Sequence, residues 1–449
     1  MMHMVETLER QSDWYQERFG EFEKTLNGSS ETRLHDLRRR ALTRFVALGF
    51  PTTKDEEWRF TNLAPLARIR FAPVLHQDPS GAETEQIQHP GFNDFRCIRL
   101  LFVDGHFVKE ASAVHSLLPG VVIGGLRSAI DTKHDLVFRF LARHVGLDGD
   151  ALAALNTAFL QDGAFVHVPD GVSVELPVHL LFVSTKRDEP FLSTPRNLIV
   201  AGAGSRVSIV ETYAGPENEV YFTNAVTEIV LGEGAVVEHD KLQIESMKAF
   251  HVGAIHVRQS AKSIYTANSI SLGGSLVRNT VGAVLDGEYG ECTLNGLSLA
   301  TGSQIVDNHT TIDHAKPNCV SHELYKSILD GASRGVFNGK IYVRKDAQKT
   351  DAKQTNKTLL LSDDATIDTK PQLEIFADDV KCTHGATVGQ LDEEQVFYLR
   401  SRGIGFEQAR DVLTFAFAGD VIQRVHIDPL RDQIEGMINS RLRRGRVEA

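Results

Sequence analysis

The chain has 449 residues, of which 42% are hydrophobic and 24% are charged, as in an ordinary soluble globular protein. Its 48 basic and 59 acidic residues give a net charge of −11, which excludes general nucleic-acid binding because such binding needs a basic surface. The four cysteines are widely spaced and form no CxxC pair, so they favour a reducing compartment. There is no apolar signal-peptide core and no apolar run of bilayer length, so the simplest location is the cytoplasm.

The first part of the chain predicts helices followed by a short segment rich in charge. Apolar residues recur at helical spacing within residues 5–49, which predicts two amphipathic packing helices that end before Pro51. The charged residues from Glu56 to Arg59 surround Trp58. A buried tryptophan with a charged rim explains this group more simply than a functional site does.

The next hundred residues predict a mixture of loop, hairpin and helix. Residues 77–94 are polar and contain Pro and Gly, so they predict a loop. The runs Arg96–Val103 and His106–Val108 flank Asp104-Gly105, which is a strong β-hairpin signal. Helical spacing returns within residues 134–160.

From Ala164 onward the helical period disappears and short β-prone runs follow one another. Within Gly302–Gly389 these runs are Gln304–Val306, Val336–Val343, Thr358–Leu361 and Gln372–Phe376, separated by polar turns. Pairs of glycines recur at irregular spacing, so no clean sequence repeat is visible. Strand physics alone leaves a sandwich, a barrel and a solenoid open.

Helical signals return at the C-terminal end of the chain. Asp392 is a plausible N-cap, with Gln395 three residues further on in a capping-box arrangement. Apolar spacing within residues 406–416 predicts a second helix, and Asp428-Pro429 predicts the start of a third. The basic residues of the tail suit the C-terminus of that last helix.

The first candidate site is the pair Cys382 and His384. In a strand, residues i and i+2 face the same side, so the thiol and the imidazole would lie next to each other. Both groups bind iron, zinc and copper. A Cys-x-His pair is nevertheless a weak signal on its own, and on the residues alone a buried structural pair is the favoured interpretation.

A second group of potential metal ligands comprises His309, His314, Cys319 and His322. A mononuclear metal site is conceivable there, but we interpret these residues as turn and core residues of two successive coils, because zinc sites usually join close ligand pairs from two segments. Cys97 and Cys292 are expected to behave as small buried apolar residues. The lysine-rich segment from Lys340 to Lys357 is interpreted as a solvated turn.

Two classes of catalytic motif are missing from the sequence. The segment Gly335–Lys340 lacks the GxxxxGK[ST] spacing of a phosphate-binding loop and has no strand–loop–helix context, so the sequence predicts no nucleotide binding by this chain. No GxSxG motif appears, and no Ser/His/Asp set stands out.

Three segments carry a resemblance to a known family: FNGKIYVRKDAQKTDAKQTNKTLLLSDDA, IDTKPQLEIFADDVKCTHGATVG and FYLRSRGI. They resemble the core of the SufB/SufD family of iron–sulfur cluster assembly scaffolds. Gly385 after His384 resembles the SufD branch more than the SufB branch, where an acidic residue follows that histidine. The resemblance implies a mainly β fold: a right-handed parallel β-helix at residues 163–390, after a mixed α/β region at 1–162 and before a helical domain at 391–449.

The resemblance also implies a function. Such a chain would be a non-catalytic scaffold that pairs with SufB and binds the ATPase SufC through its C-terminal helices. His384, together with Cys382, would lie at the interface with SufB and take part in holding iron or a transient iron–sulfur cluster. The isolated chain would bind none tightly and could form a homodimer, and neither nucleic acid nor membrane would be a partner.

Two rival functions remain open on the sequence. One is a SufB-like paralogue, against which the CTHGAT sequence and the scarcity of cysteines argue. The other is a β-helix enzyme acting on polysaccharides. Such enzymes are commonly secreted and need an acid/base set, whereas this chain shows neither a signal peptide nor an obvious carboxylate constellation.

Overall fold

The computed structural model describes residues 2–26, 32–75, 95–114, 117–146 and 148–444, so the loop predicted at 77–94 lies outside the described residues. The helices are α1 (Met2–Thr25), α2 (Arg33–Leu48), α3 (Ala64–Ala67), α4 (Leu126–Thr132), α5 (His134–Phe140), α6 (Ala151–Ala158), α7 (Glu393–Ser401), α8 (Phe406–Ile422) and α9 (Asp428–Arg444). The first strands are β1 (Ala72–Pro73), β2 (Ile98–Val103), β3 (His106–Phe107), β4 (Val122–Gly125), β5 (Ala164–Val168), β6 (Val178–Val183), β7 (Phe191–Ser193) and β8 (Arg196–Ala201).

The remaining strands are longer and follow one another without an intervening helix. They are β9 (Arg206–Ala214), β10 (Phe222–Leu231), β11 (Val236–Ile244), β12 (Phe250–Gln259), β13 (Ile264–Ser271), β14 (Leu276–Leu285), β15 (Glu291–Ala300), β16 (Ile305–His314), β17 (Val320–Leu329), β18 (Arg334–Val343), β19 (Asp351–Leu360), β20 (Thr366–Ile375) and β21 (Lys381–Gly389).

These strands form a parallel β-helix with two facing sheets. One sheet runs β20-β18-β16-β14-β12-β10-β8-β5-β4, and the other runs β21-β19-β17-β15-β13-β11-β9-β6-β2-β3. Each coil therefore gives one strand to each sheet, and its backbone is paired with the coils before and after it. The expected fold class, mainly β with a parallel β-helix core, is confirmed.

The coils stack residue on residue because a left-handed turn recurs in the same place. Residues with positive φ occupy it in successive coils: Gly204, Gly234, Lys262, Tyr289, Asn318 and Lys349. At most of these positions the amide donates to a carbonyl of the next coil, as from Lys262 to Glu288 (2.8 Å) and from Asn318 to Gln348 (2.8 Å). Glycine fills only the first two of these positions and the equivalent one in the coil before them, Gly171, which explains why the glycine spacing in the sequence is irregular.

The N-terminal region covers the first coil and one flank of the β-helix. The predicted hairpin is confirmed: β2 and β3 are antiparallel, and Asp104 and Gly105 both have positive φ. The two helices predicted before Pro51 are α1 and α2, and their aromatic side chains share one hydrophobic cluster with strands of the β-helix. In that cluster Tyr15 packs edge-on against Phe45 with ring centroids 5.7 Å apart.

The C-terminal helices α8 and α9 pack on the outer face of the sheet that contains β15 and β17. Their buried side chains share a cluster with Leu297 and Ile328 of the strands. The ammonium of Lys326 on β17 bonds to the Phe417 carbonyl (2.8 Å) and the Asp420 carboxylate (2.5 Å). Asp392 caps α7 by accepting from the amides of Glu394 and Gln395, which confirms the predicted N-cap. No helix within the described residues is long and apolar enough to cross a membrane.

The structure corrects two local predictions. Trp58 is half-buried rather than buried; the Arg278 guanidinium covers its ring at 4.2 Å, and its charged neighbours form ion pairs with the β-helix. Glu57 pairs with His309 (3.3 Å) and Glu56 pairs with Lys370. The segment from Lys340 to Lys357 is not one turn, because it includes the end of β18 and most of β19, whose lysines point outward in alternation with buried residues.

The stacking of coils predicts a large cost for adding one methyl group at Gly287. A Cβ atom there would lie 1.9 Å from the Ala261 amide nitrogen, so the two coils would have to separate. We expect Gly287→Ala to lower the free energy of unfolding by about 3 kcal/mol, measured by urea denaturation. Gly124→Ala is the matched control, because no atom lies within 4 Å of its Cβ position. Equal stability of the two variants would contradict this packing argument.

Candidate functional site

The β-helix is open at its C-terminal end. Strand β20 pairs with β18 and β21 pairs with β19, and neither has a further strand partner among the described residues. Both strands are therefore edges with free N–H and C=O groups, which are ready to pair with another chain. Large apolar side chains, Ile375, Phe376 and Val388, are exposed beside these edges.

Cys382 and His384 lie on β21, at this open edge. Cys382 is paired in register with Ala352 and His384 with Gln354. Ala352 and Gln354 are buried between the two sheets, so both site residues face the inside of the β-helix at its last coil. The thiol and the imidazole therefore lie on the same side of β21, as predicted, and both side chains face the open interior of the β-helix.

The two side chains differ in exposure. Cys382 is half-buried and packs against a small cluster that includes Ile341 and Ala352. Burial, together with the nearby Asp351 carboxylate, raises the pKa of its thiol. His384 is exposed, and no hydrogen bond or ion pair ties its ring to any other described residue. Its two ring nitrogens are therefore accessible to a ligand.

Beneath His384 lies a buried polar pair that the sequence did not reveal: Gln354 in the next coil and Glu323 in the coil after that. Gln354 donates from Nε2 to the Glu323 carboxylate at 2.6 Å, and both side chains lie between the sheets. Burial raises the pKa of Glu323 to about 7, against opposing hydrogen bonds from Gln354 and Thr310. The sequence gives no sign of this pair, since Gln354 and Glu323 are 31 residues apart in a segment rich in polar residues. Only the register of the coils brings both side chains under His384.

The second predicted group does not come together. His309 bonds to Asp307 (3.0 Å) and to Glu57 on the outer face, whereas His314 bonds to the Ser321 hydroxyl (2.9 Å) inside the β-helix. Cys319 is buried and donates to the Gly287 carbonyl (3.2 Å). These residues belong to coils and turns as interpreted, except that His322 is exposed rather than part of a core.

The remaining cysteines are packing residues. Cys97 and Cys292 are buried as expected, and burial raises the pKa of both thiols. Within the described residues, no three His, Cys, Asp or Glu side chains are grouped so as to hold a metal ion. Cys382 and His384 are thus two potential ligands rather than a complete site.

A second exposed surface lies on the C-terminal helices. We call it the α7–α8 surface, and it consists of Phe397, Tyr398, Phe406 and Val412. The side chains of Phe397 and Tyr398 are 73% and 57% exposed. Arg402 lies over the Tyr398 ring at 5.3 Å and Arg400 near the Phe406 ring at 5.8 Å, so cations border the apolar area. Phe397 and Phe406 line one cleft together with Arg400, and exposed apolar patches mark protein interaction sites.

Comparison with known proteins matches nearly the whole chain. Residues 182–417 match the family model of the SUF system FeS cluster assembly SufBD core domain, and residues 9–180 match that of the SufBD protein N-terminal region. The chain is 32% identical to an iron–sulfur cluster assembly SufBD family protein of Synechocystis, over 93% of both chains. It is 30% identical to the iron–sulfur cluster assembly protein SufD of Escherichia coli, over 89% of this chain and 91% of that protein. It is also 32% identical to the chloroplastic protein ABCI7 of Arabidopsis thaliana, over 92% of this chain and 87% of that protein.

The difference in burial among the four cysteines predicts their reactivity. In the native isolated chain, an aromatic disulfide reagent should modify one thiol, Cys382, and the same reagent should modify all four thiols in denaturant. Because the pKa of Cys382 is raised, thiolate is scarce at pH 8 and the rate should climb beyond the ordinary thiol pKa of about 8.5. Cys382→Ser should remove the native reaction. Fast modification of Cys319 or Cys292 would show that the coils are less closed than described.

Proposed function

Since the chain belongs to the SufB/SufD family of the SUF iron–sulfur cluster assembly system, we propose that it is a non-catalytic scaffold subunit that pairs with SufB. The observation that carries this proposal is the open end of the β-helix, where two free strand edges surround His384. A second β-helix that pairs with β20 and β21 would continue both sheets and satisfy their unpaired backbone groups.

Pairing at this end would convert two isolated ligands into part of an enclosed site. His384 and Cys382 face the interior, so a partner that continues the sheets would cover them and bring its own ligands to the same space. Mixed cysteine and histidine ligation of iron–sulfur clusters is established chemistry. In this proposal, iron or a transient cluster is cargo shared between the subunits, and the isolated chain binds neither tightly.

The same edges could accept a second copy of this chain when SufB is absent, which would give the homodimer that the sequence allowed. The two occupants compete for one surface, so they exclude each other. A mixture of this chain with SufB should therefore contain the heterodimer at the expense of any homodimer.

The proposed binding site for SufC is the α7–α8 surface. Phe397 and Phe406 offer the apolar anchors that dominate protein interfaces, and the surrounding arginines offer a charged rim. ATP hydrolysis would take place on SufC, and the scaffold itself would catalyse no reaction. We propose the cytoplasm as its compartment.

The first test concerns His384. His384→Ala should leave the complex with SufB and SufC intact, and it should lower the cluster content of the co-expressed complex about tenfold or more, because alanine cannot ligate iron. Iron, sulfide and visible absorbance measure the cluster, and size-exclusion chromatography measures the subunit ratio. His322→Ala is the matched control, since His322 is also exposed but lies on β17, away from the edge.

Cluster content equal to that of the wild-type complex would remove His384 from the site. Loss of the complex itself would assign His384 to the pairing surface and leave the ligand question open. Cys382→Ala should have a milder effect than His384→Ala, because the half-buried thiol also packs against Ile341 and Ala352.

The second test concerns the α7–α8 surface. Phe397→Asp and Phe406→Asp should each weaken SufC binding by more than about tenfold, measured by calorimetry with the purified chain. Leu118→Asp replaces an equally exposed apolar residue of the N-terminal region and should leave SufC affinity unchanged. Deleting the three helices would be a poorer test, because α8 and α9 cover apolar side chains of the strands. Unaltered affinity in both phenylalanine variants would place the SufC site elsewhere.

A further inference from the structure

A cleft in the N-terminal region has no part in the proposed scaffold function. It is an open cleft of about 550 Å³ between α2 on one side and residues 138–146 with Asp148 on the other. Pockets of 300–1,000 Å³ are the size that small organic ligands occupy. The cleft lies beside the first coils of the β-helix, because Glu228 of β10 bonds to the backbone on either side of Arg143, whereas Cys382 and His384 lie on β21 of the last coil.

Four arginines line this cleft and give it a positive charge. Arg33, Arg40 and Arg44 come from α2, and Arg143 comes from the facing segment. The one acidic residue among the described lining residues, Asp148, is already bound by Arg44 through its carbonyl (2.5 Å) and its carboxylate (3.3 Å). A concentration of positive charge is unusual in a chain whose net charge is −11, and it attracts anions locally.

Two of the four guanidinium groups are free to bind a ligand. Arg33 lies over the Phe138 ring at 4.7 Å and donates to the Phe138 carbonyl (3.3 Å). Arg40 and Arg143 make no ion pair and no side-chain hydrogen bond with any other described residue. A guanidinium group binds phosphate through two parallel N–H donors, so two such free groups facing one cleft favour a phosphate-bearing anion.

The wall that carries Arg143 is held in place by a buried carboxylate. Glu228 is fully buried and accepts from the amides of Ala142 (2.8 Å) and His144 (3.3 Å), on either side of Arg143. Arg196, also fully buried, neutralises Glu228 at 2.7 Å. These bonds hold Ala142 at a positive φ of 56°, a conformation that a residue with a side chain rarely adopts. The backbone on either side of Arg143 is therefore fixed by a buried ion pair on the outer face of β8 and β10.

The floor of the cleft is apolar. Leu37 of α2 and Leu141 and Val145 of the facing segment line it, and each is almost completely buried. We propose that the cleft binds a small phosphate-bearing organic anion the size of a nucleoside diphosphate. Arg40 and Arg143 hold its phosphates, and its apolar part rests on this floor. The assignment goes beyond the scaffold function and does not depend on it.

The experiment uses the full-length chain, calorimetry and three probes that separate the two parts of the ligand. ADP carries phosphates and a base, pyrophosphate carries only phosphates, and adenosine carries none. We expect ADP to bind with a Kd below about 1 mM, pyrophosphate to bind more weakly than ADP, and adenosine not to bind. Binding should weaken as salt is raised, because the contacts are ionic.

Matched variants locate the site. Arg40→Ala and Arg143→Ala should each weaken ADP binding about tenfold or more, since each loses a charge-assisted hydrogen bond. Arg143→Lys keeps the charge but loses the planar fork, so it should weaken binding about threefold. Arg139→Ala removes the same charge from an exposed position on α5 outside the cleft and should change nothing. Thermal melts check that each variant is folded.

Several results would overturn the proposal. Absence of ADP binding at about 1 mM would do so directly. Equal affinity for pyrophosphate and ADP would show that the apolar floor takes no part in binding. If Arg139→Ala weakened ADP binding as much as Arg40→Ala and Arg143→Ala do, the binding would come from the general positive charge of the surface and not from the cleft. None of these results bears on SufB pairing or cluster content, so the two proposals fail independently.

Discussion

The hydrogen bonds between successive coils are the constraint on which the rest of the structure depends. In a parallel β-helix the backbone of each coil is satisfied by the coils on either side of it, so the inner coils need no other support. The first and last coils lack one neighbour each. Strand β4 and the β2–β3 hairpin close the first coil, and the last coil is left with two free edges, one of which carries the candidate site. The placement of the site thus follows from the one position where the stacking stops.

The inside of the β-helix is not uniformly apolar. Near the covered end, Lys241 is completely buried and bonds to His251 (2.9 Å) and Asn279 (2.8 Å), while Glu245 accepts from His251 at 2.7 Å. Desolvation lowers the pKa of Lys241 to about 8, although nearby carboxylates oppose that shift. Charges buried this deeply are tolerated because each is paired within a network that successive coils supply. Near the open end, Gln354 and Glu323 continue the polar lining up to His384.

Local sequence signals predicted the parts of the fold that local chemistry determines. The hairpin at Asp104-Gly105, the N-cap at Asp392 and the shared direction of Cys382 and His384 all depend on a few neighbouring residues. The choice of a β-helix over a sandwich or a barrel depended on the family resemblance, because Lys262 and Asn318 take turn positions that glycine marks elsewhere. Glu323 beneath His384 and Arg143 facing α2 could not be predicted, since each pairing arises from register or packing between distant segments.

Because of the free edges, the tendency of this protein to associate with itself depends on how much of it is present. A solenoid that ends in unpaired parallel strands presents the same kind of surface that a growing fibril presents to the next molecule. A copy that finds no partner keeps Phe376 and Val388 in water beside those strands and can add to other copies. Such a chain stays dispersed under one of two conditions. Either it is synthesised in step with the partner that covers this end, or surplus copies are removed rapidly.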